Sequence, residues 1–91
     1  MWRMKLKALE RVLKALANKR RLAMLRFLKK TGEANVTEIA EEIKLSVKST
    51  SRHLSVLFSA DVVERDQRSL EVYYRCAPPV LSVIKHTMSI L

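Results

Sequence analysis

Residues 45–57 read Leu-Ser-Val-Lys-Ser-Thr-Ser-Arg-His-Leu-Ser-Val-Leu, and this stretch decides the fold. Ser46 is suited to be a helix N-cap, because its hydroxyl can accept a hydrogen bond from an unpaired backbone N–H of the first turn. Four later positions recur at i, i+3, i+4 and i+7, which is one face of a helix. The pattern predicts a short helix whose inner face carries Thr50, His53, Leu54 and Leu57.

The opposite face of this helix carries short hydroxyl groups and cations, with a valine at its N-terminal end. Hydroxyls and cations of this kind bond base edges and phosphates without steric bulk, and a valine can meet a thymine methyl. A solvated outer face would explain the same pattern on this stretch alone. The candidate DNA-binding residues of the helix are Val47, Lys48, Ser49, Ser51, Arg52 and Ser55.

A second short helix is predicted just upstream, over residues 37–43, with Thr37 as its N-cap and Lys44-Leu45 as the turn that follows. Its core residues are Ile39, Ala40 and Ile43. Two helices joined by a short turn, the second with a basic and serine-rich outer face, are typical of a helix-turn-helix.

Length and charge narrow the class of protein. The 91 residues suffice for one small domain, which we take to be residues 1–91. Lys and Arg total 18 against 9 Asp and Glu, a net charge of +9. Such an excess attracts polyanions, with nucleic acid as the first expected partner and an anionic membrane surface as the second.

Several classes are disfavoured. A single cysteine, Cys76, cannot form an intramolecular disulfide, so a secreted disulfide scaffold is excluded. No apolar run approaches a membrane span and the N-terminus does not resemble a signal peptide, so a cytoplasmic location is expected. No glycine-rich phosphate loop, paired carboxylates or placed Cys–His pair indicates an enzyme, and no cofactor is expected.

The remaining chain predicts three more helices and a hairpin. Helices are predicted over residues 2–17, 19–30 (capped by Asn18 and ended by Gly32) and 80–91 (after Pro78-Pro79). Residues 33–36 form a short extended bridge. The helix-turn-helix is expected to end near Ala60-Asp61, where aspartate tolerates a positive φ.

The hairpin is predicted from residue 62 onward, with a polar turn over 64–69 and a second strand over 70–75 in which Leu70, Val72 and Tyr74 share a face. Its tip has no glycine, which argues against a tight two-residue turn. Arg65 and Arg68 make it a basic wing that could touch phosphate or the minor groove. The fold class is therefore mostly α with a β-hairpin wing, a winged helix-turn-helix.

Three motifs resemble the ArsR-type (ArsR/SmtB) winged-helix transcription repressors. Residues 13–18 with Arg21 and Met24-Leu25 resemble the family's opening "ALAD-P-x-R-x-x-IL". Residues 45–57 resemble its "LSxSxxSxHLxxL" recognition helix, and residues 72–75 its "VYYxL" wing strand. The match runs from about residue 13 to residue 76.

The resemblance implies a homodimeric repressor that places two recognition helices in successive major grooves of a palindromic operator. It also implies that the first and last helices form the dimer interface. The apolar residues of those helices are Trp2, Leu6, Leu9, Leu13, Val80, Leu81, Ile84 and Met88.

The sequence departs from the family pattern where metal-sensing members carry a Cys-x-Cys-type motif, since Asn35 and Thr37 stand there. With one Cys and two His in the chain, a metal site within one protomer lacks ligands. Asp61 replaces a glycine common in the family, and Val47 replaces a glutamine, so the family's base preference does not transfer.

Two further readings stay open. The chain could be a winged-helix interaction module that binds nucleic acid non-specifically or binds a protein partner. As a regulator, it could respond to a small molecule, to oxidation of Cys76, or only to its own concentration.

Overall fold

The computed structural model describes the backbone of residues 2–91 and the side chains of residues 6–91. In chain order the described residues form five helices and a three-stranded antiparallel sheet. The elements are α1 (Trp2–Leu16), α2 (Lys19–Thr31), β1 (Ala34–Asn35), α3 (Val36–Ile43), α4 (Val47–Ser59), β2 (Val63–Arg68), β3 (Glu71–Cys76) and α5 (Ser82–Ile90). The predicted winged helix-turn-helix is confirmed.

The helix-turn-helix is formed by α3 and α4, and each begins at a capped residue. Asn35 caps α3: its side chain accepts the Glu38 N–H at 2.8 Å, while the Glu38 carboxylate accepts the Asn35 N–H at 2.8 Å. The prediction that Thr37 caps this helix is therefore wrong, because a cap two residues earlier satisfies two backbone donors at once. Lys44, at φ 62°, ends α3 in the left-handed conformation that turns the chain toward α4.

The predicted inner face of α4 is confirmed. Ser46 caps the helix by accepting the Ser49 N–H at 3.0 Å. Thr50, Leu54 and Leu57 are fully buried, and the Thr50 hydroxyl has no hydrogen-bond partner among the described residues. Asp61 has a φ of 61°, as predicted from its place after the helix.

The sheet has the order β1-β3-β2, and its hairpin is longer and more tightly turned than predicted. β2 and β3 pair from Val63 opposite Cys76 to Arg68 opposite Glu71, so Ser69 and Leu70 are left as a two-residue turn. Ser69 adopts a φ of 59°, which closes the turn without glycine. The predicted polar turn over residues 64–69 is largely strand, because charged side chains on this edge strand can pair across the hairpin or reach solvent.

Helix α1 has two apolar faces. Val12, Ala15 and Leu16 are buried in the core, whereas Leu6, Leu9 and Leu13 are exposed in the single chain. The leucines of α1 therefore divide: Leu16 belongs to the core, whereas Leu6, Leu9 and Leu13 remain exposed in the protomer. Trp2, also named as an interface residue, has a side chain outside the described ones.

Helix α5 begins at Ser82, two residues later than predicted. Leu81 stands at its N-cap position and has no side-chain oxygen to bond the first turn. Ile84 is only 1% exposed and packs with the core of its own chain. It therefore offers a partner no surface, which corrects its assignment to a dimer interface. None of the described helices is both long and apolar enough to cross a membrane.

Candidate nucleic-acid interface

The outer face of α4 brings together the residues predicted to contact DNA. Val47, Lys48, Arg52 and Ser55 are exposed, and Ser49 and Ser51 are half-buried beside them. No acidic side chain in the described part of the chain forms an ion pair with Lys48 or Arg52. Both cations therefore remain available to an external anion, and the capped, core-anchored helix fixes the backbone from which they project.

A shallow cleft of about 240 Å³ joins this face to the wing. Val47 and Ser51 line it from α4, Val36 and Thr37 from the first turn of α3, and Leu70 from the hairpin turn. Asn35, at the back, donates from its side-chain amide to Glu71 at 3.2 Å and so ties α3 to β3. A ligand seated on the start of α4 would meet the wing tip as well.

The wing is electrically balanced, which corrects the prediction of a basic hairpin. Counting arginines alone overlooked the acidic residues that occupy the same two strands. Glu64, for example, accepts a hydrogen bond from Arg75 directly opposite it at 3.1 Å. The three cations are matched by three carboxylates: Arg65, Arg68 and Arg75 against Glu64, Asp66 and Glu71.

Arg68 and Arg65, the two wing residues predicted to bind DNA, are both engaged within the protein. The Arg68 guanidinium lies 2.7 Å from the Glu33 carboxylate and 3.0 Å from that of Asp66, above the Tyr73 ring. The hydrogen bonds that Arg68 donates to Glu33 and Asp66 raise the pKa of its guanidinium. The Arg65 guanidinium stacks on Phe58 at 3.9 Å and remains exposed. Of the two, Arg65 is the freer to reach phosphate.

On the side of α4 away from this outer face, Arg21 contacts His53. The Arg21 guanidinium lies 3.1 Å from Nδ1 of His53, and arginine can only donate, so Nδ1 accepts. Burial first, and then the positive charges of Arg21 and Arg20, lower the pKa of His53. His53 thus supports α4 from its inner side.

Cys76 sits half-buried at the end of β3. Burial raises the pKa of its thiol, against a smaller opposing effect of Lys29, and this disfavours the thiolate that oxidants attack. Among the described residues, no group of three or more His, Cys, Asp or Glu side chains could hold a metal ion.

Sequence reasoning missed two features of this site. It placed Leu70 inside a strand because its alternation with Val72 continued the apolar pattern, and only the strand register puts it in the turn. It missed the Arg68–Glu33 pair, since these residues are far apart in sequence and nothing local links them.

The model of the family described as "Bacterial regulatory protein, arsR family" matches residues 18–65, which include α2, the helix-turn-helix and the start of the wing. The chain belongs to this family of transcriptional regulators. No protein with curated annotation matched in sequence.

Solved structures agree with the family. The homodimeric winged helix-turn-helix DNA-binding domain Mb0332 from Mycobacterium bovis is 32% identical, with a TM-score of 0.82, over 96% of this chain and 77% of its own. The transcriptional repressor PagR of Bacillus anthracis is 30% identical, with a TM-score of 0.79, over 97% and 98%. HlyU from Vibrio cholerae is 27% identical, with a TM-score of 0.79, over 94% and 89%.

Proposed function

We propose that this chain is a single-domain transcriptional repressor that binds a palindromic DNA operator as a homodimer. The observation that carries the proposal is the outer face of α4. There Lys48 and Arg52, which form no ion pair among the described residues, lie with several hydroxyls on a capped helix with a buried inner face. The homodimeric Mb0332 domain and the repressor PagR support the dimer and the direction of regulation by similarity.

In this proposal α4 enters the major groove from its N-terminal end. Lys and Arg contacts to phosphate supply most of the salt-dependent affinity, while base-edge contacts select the sequence. The face of α4 that reads the bases comprises Val47, Lys48, Ser49, Ser51, Arg52 and Ser55. In the wing, Arg65 contacts the flanking DNA backbone, whereas Arg68 chiefly holds the hairpin against Glu33.

The proposed dimer buries the exposed leucines of α1 against the partner. Leu6, Leu9 and Leu13 lie on one side of α1 and line an almost purely apolar groove that ends at Ala17. Val80 is exposed and Leu81 is half-buried just before α5, and Met88 is half-buried near the end of that helix. A protomer carries one recognition helix, so a two-fold dimer supplies the second and gives the operator its palindrome.

The test is selection of DNA from a random pool at about 150 mM salt, with sedimentation of the free protein. We expect enrichment of a palindrome with half-sites about one helical turn apart, and a dimer in solution. Binding without enrichment, or a monomer, would contradict the repressor and favour a module for non-specific nucleic-acid or protein contact.

Arg52 is the residue whose removal best tests the reading face. We expect Arg52→Ala to weaken operator binding by about 1–3 kcal/mol and, because a base contact is lost, to relax selection at one position of each half-site. Arg11→Ala is the matched control, since Arg11 is an exposed cation on α1, which lies outside the helix-turn-helix. A uniform loss across all sequences would instead assign Arg52 to phosphate.

A further inference from the structure

The tip of the wing is apolar. Leu70 is 95% exposed and is the second residue of the two-residue turn between β2 and β3. Such turns usually carry Gly, Asn or Asp, which adopt the required backbone easily and interact well with water. One exposed leucine is common on protein surfaces and by itself assigns nothing, so its setting has to be considered.

Two polar contacts lie next to the turn that presents Leu70. Arg68, two residues earlier, pairs with Glu33 at 2.7 Å and so ties the hairpin to the segment before β1. The Gln67 side chain donates to the Ser69 carbonyl at 3.4 Å across the turn. These two contacts connect the turn, and the strand end that precedes it, to neighbouring parts of the fold.

The tip also lies beside the face that reads DNA in the proposed function. Leu70 lines the same cleft as Val47 and Ser51 of α4. A duplex that receives the start of α4 in its major groove brings its backbone and the adjoining minor groove toward this turn. The balanced charge of the wing leaves its tip little attraction for phosphate, whereas an aliphatic side chain can pack against the sugar walls of a minor groove and enter a base step.

We propose that Leu70 is a minor-groove wedge: it enters the groove that flanks each half-site and packs against a base step, which it partly unstacks. This inference rests on the proposed function and adds a residue that selects sequence by deformability. Leucine is among the side chains that proteins insert in this way, and pyrimidine–purine steps open most easily. The selected operators should therefore favour TA or CA/TG steps outside the bases that α4 reads.

The first experiment compares wild type with Leu70→Ala on the selected operator over a range of salt concentrations. We expect Leu70→Ala to weaken binding by about 10-fold or more at every salt concentration, because an apolar contact is lost. The slope of log affinity against log salt should not change, since no phosphate contact is removed. Leu70 is almost wholly exposed, so the variant should melt as wild type does.

A second readout detects the wedge itself. An operator with 2-aminopurine at the flanking step should brighten when wild type binds, because unstacking relieves quenching, and should stay dark with Leu70→Ala. Leu70→Met is the matched control: it keeps a flexible apolar side chain of similar volume at the tip and should retain both the affinity and the fluorescence increase.

The outcomes separate this inference from the function on which it rests. If wild type selects no operator, the repressor itself is contradicted. If wild type selects one and Leu70→Ala binds it with equal affinity and equal fluorescence, the wedge is overturned and the repressor stands. Loss of repression in cells with unchanged DNA binding would also overturn the wedge and assign Leu70 to a protein contact.

Discussion

At the scale of single residues, Arg21 connects three helices. Its Nε donates to the Ala15 carbonyl at 2.6 Å and its Nη2 to the Lys14 carbonyl at 3.1 Å, where the last turn of α1 leaves acceptors unpaired. Its Nη1 donates to His53 at 3.1 Å. The Arg21 side chain, which projects from α2, thus connects α1, the helix proposed for dimerisation, to α4, the helix proposed to read DNA.

This contact predicts a pH dependence of stability. The folded protein resists protonation of His53, because burial and the cations Arg21 and Arg20 lower its pKa. Below the usual histidine pKa of about 6.5 the unfolded chain then binds more protons than the folded one. The contribution of neutral His53 to the free energy of unfolding is therefore fully present above that pH. It is lost as the pH falls toward the lowered pKa of His53 in the folded state.

The measurement is chemical denaturation of wild type and His53→Asn between pH 7.5 and 5. The asparagine carbonyl oxygen can accept from Arg21 near the position of Nδ1 and does not titrate, so the variant should lose less stability over this range. His86→Asn, on the exposed surface of α5, is the control and should follow wild type. Equal losses in wild type and His53→Asn would refute the coupling.

At the scale of elements, α4 was predictable because its signals are local. Ser46, the i, i+3, i+4, i+7 spacing of its inner face and Asp61 all lie within one short stretch, and each fixes backbone geometry near itself. The start of α3 depends only partly on local signals. Asn35 has Glu38 three residues later, the spacing of a capping box, whereas Thr37 has Ala40 there. The further bond from Asn35 to Glu71 joins residues far apart in the sequence.

The wing shows the same limit. The alternation of apolar residues located β3. Which residues form the turn is decided by the strand register, and the register depends on how β3 pairs with β2 and β1 over the whole sheet. Leu70 follows the pattern of a strand residue and nevertheless lies in the turn. The face of α4 proposed to read DNA was located from the sequence, whereas the position of Leu70 in the turn became evident only from the fold. The balanced charge of the wing can be counted in the sequence once both strands are included.

Asn35 offers a test of how α3 is coupled to the wing. Asn35→Asp keeps an oxygen to accept the Glu38 N–H, but it replaces the amide that donates to Glu71 with a second carboxylate. We expect a loss of about 1–2 kcal/mol in the free energy of unfolding, from the lost bond and the charge repulsion.

Adding Glu71→Gln should recover most of that loss, since the glutamine amide can donate to the introduced carboxylate. Glu71→Gln alone serves as the control that closes the double-mutant cycle. Additive effects of the two substitutions, measured by urea denaturation, would show that the two positions are not coupled.

At the scale of the whole molecule, some apolar residues of α1 pack in the core and others lie on the surface of the protomer. Val12, Ala15 and Leu16 complete the core of the protomer, and the core therefore does not account for Leu6, Leu9 and Leu13. The remaining face of α1 is basic, with exposed Lys7 and Arg11. In the proposed dimer the leucines are covered by the partner, while the cations face outward and add to a net charge of +9 per chain.

Leu9→Lys tests this division of roles. In a two-fold interface the substitution occurs twice, so the burial of two leucines is lost and two cations are brought together. We expect the dimer dissociation constant, from sedimentation, to rise by about 100-fold or more. The fold of the protomer should persist, because Leu9 lies outside its core. Val56→Lys makes the same change at an exposed apolar residue of α4 and should leave the dimer intact. An unchanged dimer in Leu9→Lys would place the interface elsewhere, and the spacing of the two recognition helices would then need another explanation.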